Sequence, residues 1–130
     1  INLFRLLKVD TLDFMSELHK LTSITIDTVS SVKSLPNLDK LENPCDINIV
    51  SCKSLDDYNS LKTSTMVEAL RIENAPNTSS DEFLPILENQ HIRYVSIHCK
   101  TVKIHTEVKE LIEKFAKKSY LETHRTQSVF

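Results

Sequence analysis

The stretch "LTSITID" (residues 21–27) places apolar side chains at Leu21, Ile24 and Ile26 and polar residues between and after them. Such alternation indicates a β-strand with one buried face, because successive side chains of a strand point to opposite sides. Three similar phrases follow: "PCDINIV" (44–50), "VEALRIE" (67–73) and "IRYVSIH" (92–98). The sequence therefore predicts four short strands of one kind.

The four phrases recur at a nearly constant interval. Their central apolar pairs lie 23, 23 and 25 residues apart and are Ile24/Ile26, Ile47/Ile49, Leu70/Ile72 and Val95/Ile97. Phe4/Leu6 suggests an earlier copy, and Ser119/Leu121 a degenerate later one. A period in the twenties is typical of a solenoid, whose units stack to bury one continuous core. We expect the pairs to form two ladders in that core.

Apolar residues three or four apart in the connecting segments indicate short helices. They are Leu12, Met15 and Leu18; Val29, Val32, Leu35, Leu38 and Leu41; Leu55, Tyr58 and Leu61; and Val108, Leu111, Ile112 and Phe115. Helix starts are predicted at Asp10, at Ser79, which forms a capping box with Glu82, and at Thr106. The predicted unit is a strand, a turn and a short helix.

Two stretches that contain predicted strands are "LHKLTSITI" (18–26) and "MVEALRIENAPN" (66–77). They resemble the leucine-rich repeat, whose strand segment reads L-x-x-L-x-L-x-x-N/C. In "INIVSCKSLDDYNSL" (47–61), Cys52 follows Ile49 by three residues. This is similar to the cysteine-containing repeats of F-box proteins. The resemblance extends over roughly residues 1–121. It implies that Cys52 closes a repeat, buried against Ile49 and Leu55 and chemically inert.

The period and the resemblance together predict an α/β fold. It is a short leucine-rich-repeat-like solenoid, with a parallel sheet on one face and short helices on the other. Residues 1–130 would form a single repeat domain of about five to six irregular repeats. Because the sequence begins at Ile1, we expect it to be a piece of a longer chain. An ordinary α/β sandwich with strands at similar spacing is the alternative.

Composition excludes several classes of function. The net charge of −2 gives no general case for nucleic acid or an anionic membrane, and no apolar run is long enough to span a bilayer. The chain contains no glycine, which excludes glycine-rich phosphate-binding loops. An odd number of cysteines, Cys45, Cys52 and Cys99, favours a reducing compartment. We therefore expect a cytoplasmic or nuclear location.

No catalytic or metal site is predicted. His91, His98, Cys99 and His105 match no common zinc spacing, and strand alternation sends His98 and Cys99 to opposite faces. The sequence indicates no enzyme, cofactor or small-molecule substrate. Asn77-Thr78-Ser79 is a formal glycosylation sequon, which we interpret as coincidental.

The predicted contact surface is the outward face of the strands. Its full set is Ser23, Thr25 and Asp27; Asp46, Asn48 and Val50; Ala69, Arg71 and Glu73; and Tyr94, Ser96 and His98. The partner-binding residues predicted within it are Thr25, Asp27, Asn48, Arg71, Glu73, Tyr94, Ser96 and His98. Arginine and tyrosine are over-represented among binding hot spots.

Three functions follow as hypotheses. The first is a protein–protein interaction scaffold, the repeat arm of an intracellular adaptor such as an F-box-type ubiquitin-ligase substrate receptor. The second is a nucleic-acid-binding domain like those of RNA-export adaptors, since basic residues outnumber acidic ones from Lys100 to Arg125. The third is a purely structural set of repeats, whose end residues Leu3, Leu7, Val129 and Phe130 would contact further repeats or another chain.

Overall fold

The computed structural model describes the backbone of residues 2–4 and all atoms of residues 11–122. Five strands form one parallel sheet in chain order. They are β1 (Asn2–Phe4), β2 (Ser23–Asp27), β3 (Cys45–Val50), β4 (Val67–Ala75) and β5 (Tyr94–Cys99). The predicted α/β class and the predicted parallel arrangement of the four strands are confirmed.

Some predictions fall on other parts of the chain. Leu6, Leu7, Asp10, Val129 and Phe130 lie outside the described residues, as does the side chain of Leu3. Of the early copy predicted at Phe4/Leu6, the described part is β1, whose backbone pairs with β2 from Asn2↔Thr25 to Phe4↔Asp27.

Two apolar ladders run across the sheet, as predicted. Their registers are Ile24↔Ile47↔Leu70↔Val95 and Ile26↔Ile49↔Ile72↔Ile97. Every one of these side chains is buried, the most exposed being Ile97 at 7%. Burying a side chain of this size contributes about 1.5–3 kcal/mol to folding stability. The two ladders are therefore the main side-chain contacts that stabilise neighbouring strands against each other.

The connecting segments contain less helix than the apolar spacing predicts. The helical elements are α1 (Leu84–Leu87), α2 (Val102–Lys114) and short 3₁₀ helices at Asp13–Glu17, Asn59–Lys62, Ser80–Phe83 and Tyr120–Glu122. The helix expected from Val29 to Leu41 is wrong, because no helical element forms there although these side chains are buried.

Residues 29–41 form no helix because part of their backbone forms hydrogen bonds with a neighbouring unit. The Leu35 N–H donates to the Asp57 carbonyl, and the Asp56 N–H donates to the Lys33 carbonyl. Ser34 and Asp57 form an isolated parallel bridge at the same place. These N–H and carbonyl groups bond to the neighbouring unit instead of to residues four positions away along the chain, so they do not require a helix. The apolar residues at three-residue spacing from Val29 to Leu41 therefore indicate burial in the core and not a helix.

Helix starts agree with the sequence in one case and differ in another. The capping box of Ser79 and Glu82 is confirmed, since both of its reciprocal hydrogen bonds are formed. Thr106 does not begin the last helix, because α2 starts at Val102 and the Thr106 hydroxyl donates to the Val102 carbonyl inside the helix. The apolar stripe of α2 is nonetheless correctly predicted, with Val108 fully buried.

Left-handed residues occur at three equivalent positions, directly after β2, directly after β3, and one residue before the end of β4. Thr28, Ser51 and Asn74 have φ angles of 56°, 52° and 55° and are each 23 residues apart. The Thr28 N–H donates to the Val50 carbonyl, and the Ser51 N–H donates to the Glu73 carbonyl. This conformation suits glycine and asparagine and is unfavourable for a β-branched residue. Without glycine at these positions, Thr28 and Ser51 therefore carry backbone strain at equivalent turns of two successive units.

Polar groups tie the units together in the interior. Asn89 is buried, and its Nδ2 donates to the carbonyls of Leu61 and Ser64 at 2.7 Å each. Lys117 Nζ donates to the carbonyls of Asn89 and Ile92. Burial lowers the pKa of the Lys117 ammonium. Each side chain thus satisfies carbonyls that belong to an earlier unit.

Cys52 is buried as predicted, at 3% exposure, and shares the hydrophobic core with Ile49 and Leu55. Its Sγ lies 3.5 Å from the Val50 carbonyl oxygen and 3.6 Å from that of Ile26. Burial raises the pKa of the Cys52 thiol. A thiol in this environment acts as a small apolar side chain.

Relieving the left-handed strain should stabilise the protein. Thr28→Gly removes a penalty of about 1–2 kcal/mol for an L-residue in this conformation, offset by about 0.5–1 kcal/mol of backbone entropy. We expect the free energy of unfolding, measured with urea, to rise slightly or stay level. Thr25→Gly, in the middle of β2, is the control and should lower it. A loss with Thr28→Gly as large as that of the control would contradict the strain argument.

The packing role of Cys52 can be tested separately. Cys52→Ala should lower the free energy of unfolding by about 1–2 kcal/mol through lost packing. In the native protein, a thiol reagent should modify Cys52 only as fast as the domain opens. Lys53→Cys provides an exposed thiol beside it and should be modified rapidly. Equal labelling rates at the two positions would show that Cys52 is accessible.

Candidate interaction surface

Side chains between the ladder residues point away from the core and form the outer side of the sheet. One row crosses four strands in register: Thr25, Asn48, Arg71 and Ser96. All four are half-buried. The structure therefore brings four of the eight predicted binding residues together. We call the surface of Thr25, Asp27, Asn48, Arg71, Glu73, Tyr94, Ser96 and His98 the polar strand face.

A second row follows at the carboxyl ends of the strands, where Asp27, Val50 and Glu73 are in register. Arg71 Nη2 lies 2.8 Å from Glu73 Oε1, and both side chains keep more than a third of their surface accessible. Such a half-exposed ion pair contributes about 0–1 kcal/mol, so both groups remain available to a partner at low cost. His98 is exposed but has no register partner on β4, because the pairing shifts between Ile72 and Ala75.

The third row, Asp46, Ala69 and Tyr94, departs from the prediction. Ala69 is fully buried, since its single methyl group lies between two larger neighbours in the row. Asp46 is only 9% exposed. Neither residue is part of the accessible surface. Tyr94 is half-buried, and the Arg93 guanidinium lies 5.5 Å from its ring centroid.

Ser96 is engaged by the chain itself. The Tyr120 N–H donates to Ser96 Oγ at 3.0 Å, and the 3₁₀ turn Tyr120–Glu122 contacts both β5 and β4. The turn therefore lies against the outer side of the sheet at β5. The degenerate Ser119/Leu121 copy is the sequence feature closest to this turn, and the structure has a single parallel bridge just before it, between Tyr94 and Lys118.

Asn48 carries an unusual feature at the centre of the polar strand face. Its Oδ1 is buried and has no hydrogen-bond partner among the described residues. An unsatisfied buried acceptor costs about 1–3 kcal/mol, and such groups call for a specific explanation. The nearest row neighbours are Thr25 and Arg71.

His98 and Cys99 lie on opposite sides of β5, as alternation predicts, with His98 exposed and Cys99 buried. The His98 and His105 rings are 4.5 Å apart between centroids. The Cys99 N–H donates to His105 Nδ1 at 3.4 Å, which occupies that nitrogen. Over residues 11–122, no three or more histidine, cysteine or acidic side chains are grouped closely enough to hold a metal ion.

The sequon asparagine serves a structural purpose. Asn77 is 3% exposed, and its Nδ2 donates to Glu82 Oε2 at 2.9 Å and to the Asp56 carbonyl at 3.4 Å. The same nitrogen would have to carry a glycan. Asn77 therefore supports the capping box and is not available as an acceptor site in the folded protein.

No protein family, curated protein or solved structure matches this chain. None of the helices in the described part of the chain has the length and apolar character needed to cross a membrane.

Stability should depend on Cys99 at alkaline pH. Burial raises the pKa of the Cys99 thiol from its ordinary 9.0 to about 11. Between these values the unfolded chain has lost the thiol proton and the folded chain retains it. Rising pH therefore favours the unfolded state. The stabilising contribution is complete below pH 9 and is lost as the pH approaches 11.

The free energy of unfolding of the wild type should fall more steeply between pH 8.5 and 10.5 than that of Cys99→Ala, as measured by urea titrations at each pH. Parallel curves for the two proteins would contradict this assignment. His98→Ala, one residue away on the exposed side, is the control and should follow the wild-type slope.

Proposed function

We propose that this chain is a leucine-rich-repeat-like solenoid that serves as a protein–protein interaction scaffold, with the polar strand face as its contact surface. The observation that carries the proposal is the in-register row of half-buried polar side chains across β2 to β5. A sheet whose strands follow one another in parallel presents such a row as one continuous surface. In the wider protein, it would be the repeat arm of an intracellular adaptor, such as an F-box-type ubiquitin-ligase substrate receptor.

The solenoid part of the proposal is supported by contacts between successive units. Strand order equals chain order. Side-chain bonds recur at separations of 23–25 residues: Lys33 to Asp56, Lys40 to Glu17, Ser54 to the Ser30 carbonyl, and Arg93 to Glu68 of β4. Successive units are therefore linked by bonds about one repeat apart in sequence, which is expected of stacked repeats.

The interaction part is supported by the chemistry of the polar strand face. Arg71 and Tyr94 are half-buried, so their positions are fixed while part of each remains accessible. Rigid arginine and tyrosine side chains are the types that contribute most at protein interfaces. The unsatisfied Asn48 Oδ1 adds an acceptor that a partner's donor would satisfy. Binding needs no catalytic group, and the proposal includes none.

Nucleic-acid binding is the second candidate. A cavity of about 300 Å³ beside Tyr94 is lined by Arg93, Lys117 and Lys118, together with Phe115. However, Lys117 donates to two carbonyls and Arg93 pairs with Glu68 at 3.0 Å. The Lys117 ammonium is therefore held by the main chain, and the Glu68 carboxylate offsets the charge of Arg93, which lowers the net positive charge of the cavity and favours the protein partner. The third candidate, purely structural repeats, predicts that no partner depends on the polar strand face.

Affinity capture with matched variants tests the proposal. Arg71→Ala and Tyr94→Ala should each reduce capture of a protein retained by the wild type by about tenfold or more, the effect of losing a binding hot spot. Lys103→Ala, exposed on α2, is the control and should retain that protein fully. Circular dichroism should show the same folded state for all variants. Equal capture by every variant would refute the polar strand face as the contact surface.

A salt titration separates the two kinds of partner. Binding of a labelled single-stranded RNA, followed by fluorescence anisotropy, should be weak and indifferent to Arg71→Ala. Tight RNA binding that falls steeply with salt would support the nucleic-acid candidate instead, because phosphate contacts release counterions.

A further inference from the structure

We infer that the groove between β5 and α2 binds an extended peptide, which adds to the sheet as one more strand. This groove lies at the edge of the sheet, and Ser96 is the one residue of its lining that also belongs to the polar strand face. The inference therefore goes beyond the scaffold function proposed above, and the two can fail independently.

The chain after α2 forms the first parallel hydrogen bonds to the free edge of β5 but does not continue them. Lys118 N–H donates to the Arg93 carbonyl at 3.0 Å, and the Lys118 carbonyl accepts from the Val95 N–H at 2.8 Å. Continuing the ladder would place Tyr120 opposite Ser96, with its N–H directed at the main chain of β5. Instead, the Tyr120 N–H bonds the Ser96 hydroxyl, and the chain turns onto the outer side of the sheet.

The place that a further strand would occupy is an open groove. It has a volume of about 360 Å³, and its lining includes Val95, Ile97 and Ser119 on the sheet side and His105, Lys109 and Ile112 on the side of α2. Ile97 and Ile112 make the floor apolar. Lys109 and Glu113, one turn apart on α2, supply one charge of each sign at the rim. The groove is therefore shaped by an edge strand on one side and a helix on the other.

The main chain of β5 determines what kind of ligand this groove suits. Among the described strands, β5 is the last of the sheet and has a neighbour on one side only. The Val95 N–H points away from β4 towards Lys118, so the main-chain groups of Ile97, two residues further, point to the same edge. An extended polypeptide provides donors and acceptors at this spacing, whereas a helix or a compact ligand does not.

The side chains of the groove add a preference. In a docked strand, alternate residues point to opposite sides. One set would enter the floor between Ile97 and Ile112, where an aliphatic side chain is favoured, and the other would face the outer side of the sheet. The partner is therefore an extended segment that alternates apolar and polar residues, the same pattern that the strands of this chain carry.

Edge strands in soluble proteins are normally protected by proline, a bulge or a covering element. Beyond Tyr94, β5 contains no proline, and its register shift faces β4 rather than the groove. The covering element supplied by the described residues, the turn Tyr120–Glu122, lies against the face and not along the edge. Within residues 11–122, the edge is thus left in the form that strand addition requires.

The test uses a synthetic peptide with the sequence of β4, VEALRIENA, because this sequence already pairs with β5 on its other side. Hydrogen exchange followed by NMR should show that saturating peptide slows exchange of the Ile97 amide by about tenfold or more. The Ile24 amide, in the middle of β2, should not change. The control is the same peptide N-methylated at alternate residues, which retains the side chains but removes the donors. It should not slow exchange at Ile97.

Matched variants on α2 locate the site. Ile112→Ser, in the groove, should weaken peptide binding at least tenfold, whereas Leu111→Ser, equally half-buried but outside the groove, should leave it within about twofold. Three results would overturn the inference: no change at Ile97 with millimolar peptide, equal effects of the two peptides, or chemical-shift changes confined to Arg71, Glu73 and Tyr94. If Ile112→Ser does not fold, the two peptides still decide the question with the wild type.

Discussion

Every element of this protein depends on the register in which one strand lies against the next. Ile24, Ile47, Leu70 and Val95 lie side by side, and so do the isoleucines two positions on. A slip of one residue in any pair would turn a buried row outward and bring a polar row into the core. Register is therefore fixed by burial, and the length of each connection must match it. The constant interval in the sequence is the consequence of this constraint.

The constant register also determines where the backbone N–H and carbonyl groups of the connecting segments find hydrogen-bond partners. Where a connection lies beside its equivalent in the next unit, its N–H groups find carbonyls there, as Asp56 does at Lys33. Helix then becomes unnecessary, and most of the connections between strands use short 3₁₀ turns or no helix at all. A left-handed conformation recurs at the equivalent position of three successive units, at Thr28, Ser51 and Asn74. That three different residues adopt it shows that the stack, rather than the local residue, imposes this turn.

The sequence correctly predicted the positions of the strands and the buried face of each, because both follow from the alternation within a single strand. Alternation around Ile24 and Ile47 is a local signal, and the register follows from its regular recurrence. The same approach failed between Val29 and Leu41, because apolar residues three apart report burial and not the hydrogen bonds that fill the gap. It also failed for Ala69, whose burial depends on Asp46 and Tyr94 on the neighbouring strands. Predicting accessibility required knowing which side chains stand next to each other, and that information is not in any single strand.

At the β5 end of the sheet, the path of the chain also depends on contacts that the sequence pattern does not predict, and this path affects both proposed binding surfaces. Lys118 follows the register of the preceding strands for one residue, and then Tyr120 bonds a side chain on the outer face in place of the edge backbone. The hydroxyl that accepts this bond belongs to Ser96, a residue of the row predicted for partner contact. The turn therefore covers one end of the polar strand face and, among the described residues, does not extend along the edge of β5. Ser96 is common to the two surfaces, since it lies in the polar row and also lines the groove beside α2.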